Sequence, residues 1–181
     1  MTIETIQTTN HILGFFGVIA LFGTIFLIID MYGKRYLAPM VSRYGLSKAL
    51  ILTISATVLS LVYSEVFGLI PCGLCWFERM MLFPQVVLLG VGIYLSDRIG
   101  TPIYGIALSS LGLLLSLYHH YLQMGGTALL ACPTAGAGAD CAKRFFFEFN
   151  FITFPLMSAI LFALLIALYT YVRREELHAR S

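Results

Sequence analysis

Long, nearly charge-free apolar runs recur along this chain and limit what it can fold into. Five stretches, at about residues 12–30, 46–70, 76–96, 102–123 and 151–171, each approach or exceed the roughly 20 apolar residues a membrane helix needs. All five are apolar around most of their circumference, so an amphipathic soluble bundle is a poor fit. Apolar residues make up 59% of the chain and charged residues 11%. Soluble domains run near about 45–50% and 25%. With a mean hydropathy of +0.89, the chain has too little charge to coat a water-facing surface. The expected fold class is therefore all-α, a polytopic membrane helical bundle, with residues 1–181 as a single integral membrane domain. The net charge of +2 is small and dispersed, which argues against a nucleic-acid partner. The first ten residues lack a basic n-region and no A-x-A-like site follows the first run, so that run is expected to remain as an anchor.

Lysine and arginine in the short loops give the expected orientation. Lys34, Arg35, Arg43 and Lys48 flank the first connection, Arg98 lies in the turn between the third and fourth runs, and Arg173, Arg174 and Arg180 fill the C-terminal tail. The opposite side carries only Lys143 and Arg144, with Arg79 just inside a helix. This pattern predicts a cytoplasmic C-terminus, with the N-terminus and the loops at 71–75 and 124–150 outside. Those two loops hold all four cysteines: Cys72 and Cys75 in the first, Cys132 and Cys141 in the second. Disulfides persist outside the cytoplasm and are uncommon within it, so this shared placement points to redox chemistry.

Cys72-Gly73-Leu74-Cys75 opens a helix, where free N–H groups and the helix dipole favour thiolate over thiol. Residues three apart on a helix share a face, within reach of a disulfide. Arg79, four residues after Cys75, is expected one turn deeper on that face, as a cation beside the Cys75 thiolate and a donor to a carbonyl-bearing ligand. Cys132 and Cys141 enclose a Gly- and Ala-rich segment, which predicts an exposed disulfide open to an outside thiolate. For that second pair a structural disulfide is the competing reading. A four-cysteine zinc site is disfavoured because C-x₈-C is a poor partner for C-x-x-C, so no metal is expected.

The run Pro71-Cys72-Gly73-Leu74-Cys75-Trp76-Phe77-Glu78-Arg79, continuing to Pro84, resembles the P-C-x-L-C-W-x-x-R-x-x-x-x-P signature of the DsbB family of membrane thiol:quinone oxidoreductases. Phe149-Asn150-Phe151-Ile152-Thr153-Phe154-Pro155 resembles the segment opening the last helix of the short-loop, BdbC-like branch. Tyr118 to Gln123 resembles the family's His-containing segment. The family core has four helices, so the run at 12–30 is an addition.

The resemblance implies disulfide bond formation at a bacterial cytoplasmic membrane. Electrons would pass from a DsbA-like thioredoxin-fold oxidase through Cys132, Cys141, Cys72 and Cys75 to a membrane quinone, either ubiquinone or menaquinone. In this scheme the partner thiolate attacks Cys132, Cys141 exchanges with the inner pair, and Cys75 faces the quinone. Arg79 and His119, preferred to His120, would bind the quinone oxygens. Glu65, inside the second run, is expected to pair with Arg79, relay a proton or reach interfacial water. The aromatics Trp76, Phe77, Phe83, Tyr121 and Phe145 to Phe147 are expected mostly to form an interfacial belt, with some lining a quinone slot. Gly14, Gly17 and Gly23 are expected to allow close helix packing. The rival readings are a reductase running the relay in reverse, like vitamin K epoxide reductase relatives, and an assembly protein with structural disulfides. A transporter is disfavoured by the lack of broken, repeated helices.

Overall fold

The computed structural model describes residues 3–127, 140–144, 146–147 and 151–180, and over these the chain is helical. Five helices follow in order: α1 (Ile3–Tyr32), α2 (Ala38–Leu61), α3 (Gly73–Tyr94), α4 (Gly100–Gln123) and α5 (Phe154–Arg180). All five are long and apolar enough to cross a membrane. Backbone polar groups inside a bilayer must be satisfied within the segment, and a helix does this. The protein is a multi-pass membrane protein.

Two helix boundaries depart from the sequence expectation for identifiable reasons. α2 starts eight residues earlier than expected, with Pro39 in its first turn, where a missing N–H costs nothing. It then widens into a π-helical turn (Val62–Val66) and stops before Gly68, whose φ of 68° is left-handed. The expected helix to residue 70 is thus cut short, and the freed segment carries Pro71 and Cys72 to the head of α3. α5 begins at Phe154 behind Thr153, whose Oγ1 accepts from the Leu156 N–H at 3.3 Å, an N-terminal cap with Pro155 just inside.

The bundle is built around α5, which packs against α1, α2 and α4, while α3 fits between α2 and α4. Lipid tails are as apolar as leucine, so close packing and interior hydrogen bonds hold such helices together. Gly105 and Gly112 of α4 let the rings of Tyr169 and Phe162 lie directly on its backbone. Fully buried Gln85 accepts from Tyr169 Oη at 2.8 Å and from Ser109 Oγ at 3.2 Å, tying α3, α4 and α5 together. Gly17 of α1 meets Met157 of α5, whereas Gly23 faces open space and does not pack as expected. The outer face of α1 presents Phe15, Phe22, Phe26 and Ile29, all exposed and suited to lipid.

At one end of the bundle Asp30 accepts from the Tyr36 and Leu37 N–H groups at 2.9 and 3.0 Å and from Tyr171 Oη at 2.8 Å. Arg35 pairs with Glu175, and Arg98 with Glu176 at 3.6 Å. These contacts gather the α1–α2 turn, the α3–α4 turn and the end of α5, so Arg35, Arg98 and Arg174 share one end. The described cysteines occupy the other.

Candidate functional site

Cys72 is the N-cap of α3. Its backbone is extended, its carbonyl takes the first helical bond from Trp76 N–H at 3.1 Å, and its Sγ accepts from Cys75 N–H at 3.4 Å. This cap places the two sulfurs of the C-x-x-C turn 2.9 Å apart, and both cysteines are free thiols. The Cys72 thiol is held far below the ordinary range, at about 4, first by the hydrogen bond from Cys75 and then by His119.

His119 projects from the last turn of α4 and is almost fully buried, with Nε2 3.6 Å from Cys72 Sγ. Its Nδ1 lies 2.7 Å from Glu78 Oε1, so the N–H is assigned to Nδ1 and donates to that carboxylate. Gln123, one turn on, approaches Nε2 at 3.5 Å and donates to the Lys143 carbonyl at 3.2 Å. That bond ties the segment before α5 to the end of α4. His120 instead meets Thr153 Oγ1 at 2.8 Å, away from the cysteines.

Arg79 lies on α3 one turn beyond Cys75, as its spacing implies, and is buried. Its guanidinium spans to α2, donating from Nε to Ser60 Oγ at 2.9 Å and from Nη2 to the Ser60 carbonyl at 2.8 Å, and it rests over the Trp76 ring at 5.2 Å. Glu65 is exposed on the π-turn with Ser64 as its hydrogen-bond partner, which favours the interfacial-water reading over a buried relay.

Cys72, Cys75, Glu78, Arg79 and His119 line one cavity of about 370 Å³, within the range of small-molecule sites. Ser60 and Tyr63 of α2, Leu161 of α5 and Phe16 and Ala20 of α1 complete its walls, which are mostly apolar.

Two expectations need correction. Cys141 is disulfide-bonded, but it is only 2% exposed and packs with Cys72, Leu74 and Leu122. The Cys141 end of the bond, rather than the bond as a whole, is therefore covered from an outside thiolate. Leu74 and Leu122, at the ends of α3 and α4, supply the cover. Phe146 is likewise buried, tilted against Phe154 at 4.7 Å, although Phe147, Trp76, Phe77 and Tyr121 are exposed as a belt requires. Cys132 and Phe145 lie outside the described residues. Ser60, Glu78 and Gln123 were not singled out from sequence. Glu78 alone carried a local signal, as a carboxylate inside an apolar run.

A dithiol at a helix N-cap, beside an apolar cavity and beneath a second, oxidised cysteine, is an arrangement for thiol–disulfide exchange. The family model described as "Disulfide bond formation protein DsbB" matches residues 42–172. The chain belongs to the DsbB family. Within that family it is 33% identical over 139 residues to the probable disulfide formation protein C 2 of Bacillus anthracis, covering 76% of this chain and 97% of that one. It is 36% identical over 114 residues to the SPbeta prophage-derived disulfide bond formation protein B of Bacillus subtilis, covering 63% and 75%. It is 29% identical over 117 residues to the disulfide bond formation protein C of the same organism, covering 65% and 83%. No solved structure matches the chain. As a DsbB-family member it is an oxidoreductase of disulfide bond formation, and α1 lies outside the matched segment.

Proposed function

We propose that this DsbB-family protein re-oxidises a DsbA-like thioredoxin-fold oxidase outside the cytoplasm and delivers the electrons to a membrane quinone. The observation that carries this reading is the free Cys72–Cys75 dithiol opening onto the apolar cavity, with Arg79 and His119 as its cationic and imidazole groups. A quinone ring fits such a cavity: it is flat and apolar with two carbonyl oxygens, and the walls are apolar with few polar groups. Arg79, His119 and Cys75 would hold it. A bound quinone supplies a two-electron, two-proton acceptor.

The chain's own residues divide the remaining work. The partner thiolate attacks Cys132 and frees Cys141, which burial has already set against Cys72. Cys141 then exchanges with the inner pair at Cys72. His119, its tautomer fixed by Glu78, faces the Cys72 sulfur and accepts or returns its proton. Ser60 and Trp76 hold the Arg79 cation at the wall. Clustering of Arg35, Arg98 and Arg174 at the opposite end supports a cytoplasmic C-terminus, with the cysteines and N-terminus outside. A partner at about −120 mV needs a more oxidising sink, and a lipid-soluble quinone is one available in the bilayer.

The test is anaerobic turnover of purified protein with a quinone and a reduced thioredoxin-fold dithiol, with a single-cysteine variant of that partner, lacking its resolving thiol, in a parallel reaction. The dithiol should bleach quinone absorbance, and the single-cysteine partner should accumulate as a mixed disulfide on Cys132 as its thiolate opens the Cys132–Cys141 bond and releases Cys141. A mixed disulfide on Cys72 would overturn the assigned order, and no bleaching would overturn the reading itself.

A further inference from the structure

The same residues form a second kind of site once the pair is reduced. Cys72 Sγ, Cys75 Sγ and His119 Nε2 lie within 4.8 Å of one another. Zinc binds thiolate at about 2.3 Å and imidazole at about 2.0–2.1 Å, so tetrahedral angles set sulfur and nitrogen about 3.6 Å apart and two sulfurs about 3.8 Å apart. The Cys72–His119 separation is already 3.6 Å, and the sulfurs, 2.9 Å apart, need to part by a little under about 1 Å. Side-chain rotation at Cys75 supplies that. Glu78 at 2.7 Å from Nδ1 completes the carboxylate–imidazole arrangement that orients metal-bound histidines and leaves Nε2 free to ligate. Gln123, 3.5 Å from Nε2, keeps its bond to the Lys143 carbonyl when it yields that contact.

We propose that the dithiol state binds one thiophilic divalent cation, zinc in the first instance, through Cys72, Cys75 and His119, and that this arrests the relay. Two thiolates neutralise Zn²⁺, so the buried centre gains no net charge, a condition burial demands. Sulfur ligands select zinc over magnesium or calcium. The fourth position faces the cavity and is left for water, as in open zinc sites. Binding displaces whatever protons the two sulfurs and His119 Nε2 still hold and moves no electrons. The disulfide state offers no thiolates and does not bind. The cation site stands on the dithiol and His119 alone, and only its effect on turnover rests on the proposed quinone reaction.

Co²⁺ serves as the spectroscopic probe. Purified protein is titrated with Co²⁺ in the dithiol and disulfide states, and Zn²⁺ is then added. The expected result is a thiolate-to-cobalt absorption band of one equivalent in the dithiol state only, bleached by Zn²⁺. Glu78→Gln should weaken binding by about 10–100-fold, as loss of an outer carboxylate does elsewhere. His119→Gln should weaken it further, with a free-thiol titre matching wild type as the check on folding. No band in the dithiol state, an equal band in the disulfide state, or unchanged affinity in both variants would overturn the site. Zinc should also slow quinone reduction by wild type at the concentrations that bleach the cobalt band. Binding without slowing would overturn the arrest, whereas binding in a protein that reduces no quinone would sink the relay and leave the site standing.

Discussion

Ser60→Ala tests how the cation at the cavity wall is held. Arg79 makes two bonds to Ser60, one to Oγ at 2.9 Å and one to the carbonyl at 2.8 Å, and stacks on Trp76 at 5.2 Å. The substitution removes the Oγ acceptor and leaves the other two contacts. A hydrogen bond to a charged group contributes about 1.5–3 kcal/mol, and about 1.4 kcal/mol is a factor of ten. Because the carbonyl contact persists, the lower end applies, and the quinone KM should rise about 10-fold with kcat little changed. Arg79→Ala removes the cation and both bonds, and kcat/KM should fall about 100-fold or more. The double variant should be no worse than Arg79→Ala, since Ser60 acts only through the guanidinium. The assay is steady-state quinone reduction at saturating dithiol partner. A Ser60→Ala effect under about twofold, or full additivity in the double variant, would refute the argument.

Other consequences concern the frame. Asp97 accepts from the Ile99, Gly100 and Thr101 N–H groups at 3.2, 2.8 and 2.8 Å, and the Gly100 bond foremost lowers its pKa below the usual carboxylate value. Asp97→Ala should lower stability by about 1 kcal/mol at neutral pH. A depressed acid pKa stabilises above the unfolded value and loses that effect as pH falls through the folded one, so the gap in thermal melting between wild type and variant should begin to close near about pH 3.9 and vanish only below the lowered folded value. Gln85→Leu removes the acceptor of Tyr169 and Ser109 inside the membrane. At about 0.6 kcal/mol per such bond and up to 1.7, melting in detergent should report about 1–3 kcal/mol, partly recovered by adding Tyr169→Phe. Gly17→Leu drives a side chain into Met157 and should push α1 off the cavity, raising the KM of a short-tailed quinone while partner-dithiol KM stays constant. An unchanged quinone KM would show that α1 is not a working wall.

Helix number and apolar class were legible because a bilayer demands about 20 apolar residues per span, a requirement written locally in the chain. The local relations at the site were legible for the same reason: Cys72, Cys75 and Arg79 follow from the helical repeat of α3. What sequence did not reveal depends on contacts between helices. Ser60 reaches Arg79 from 19 positions away and Glu78 reaches His119 from 41 away, and no local pattern encodes either pairing. Burial of Cys141 was misjudged because a Gly- and Ala-rich loop reads as mobile, whereas Leu74 and Leu122 cover its end. The end of α2 was misplaced because residues 62–70 stay apolar, and hydropathy does not register the π-turn or the left-handed Gly68.

In the proposed reaction the Cys72–Cys75 dithiol gives its electrons to quinone. The most direct measurement is a single turnover: pre-reduced protein, without partner, is mixed anaerobically with quinone while thiols and quinone absorbance are counted together. One quinone should disappear for every two thiols lost, and Cys75→Ala should consume none. Thiol loss without quinone loss, or equal quinone loss in Cys75→Ala, would contradict the account.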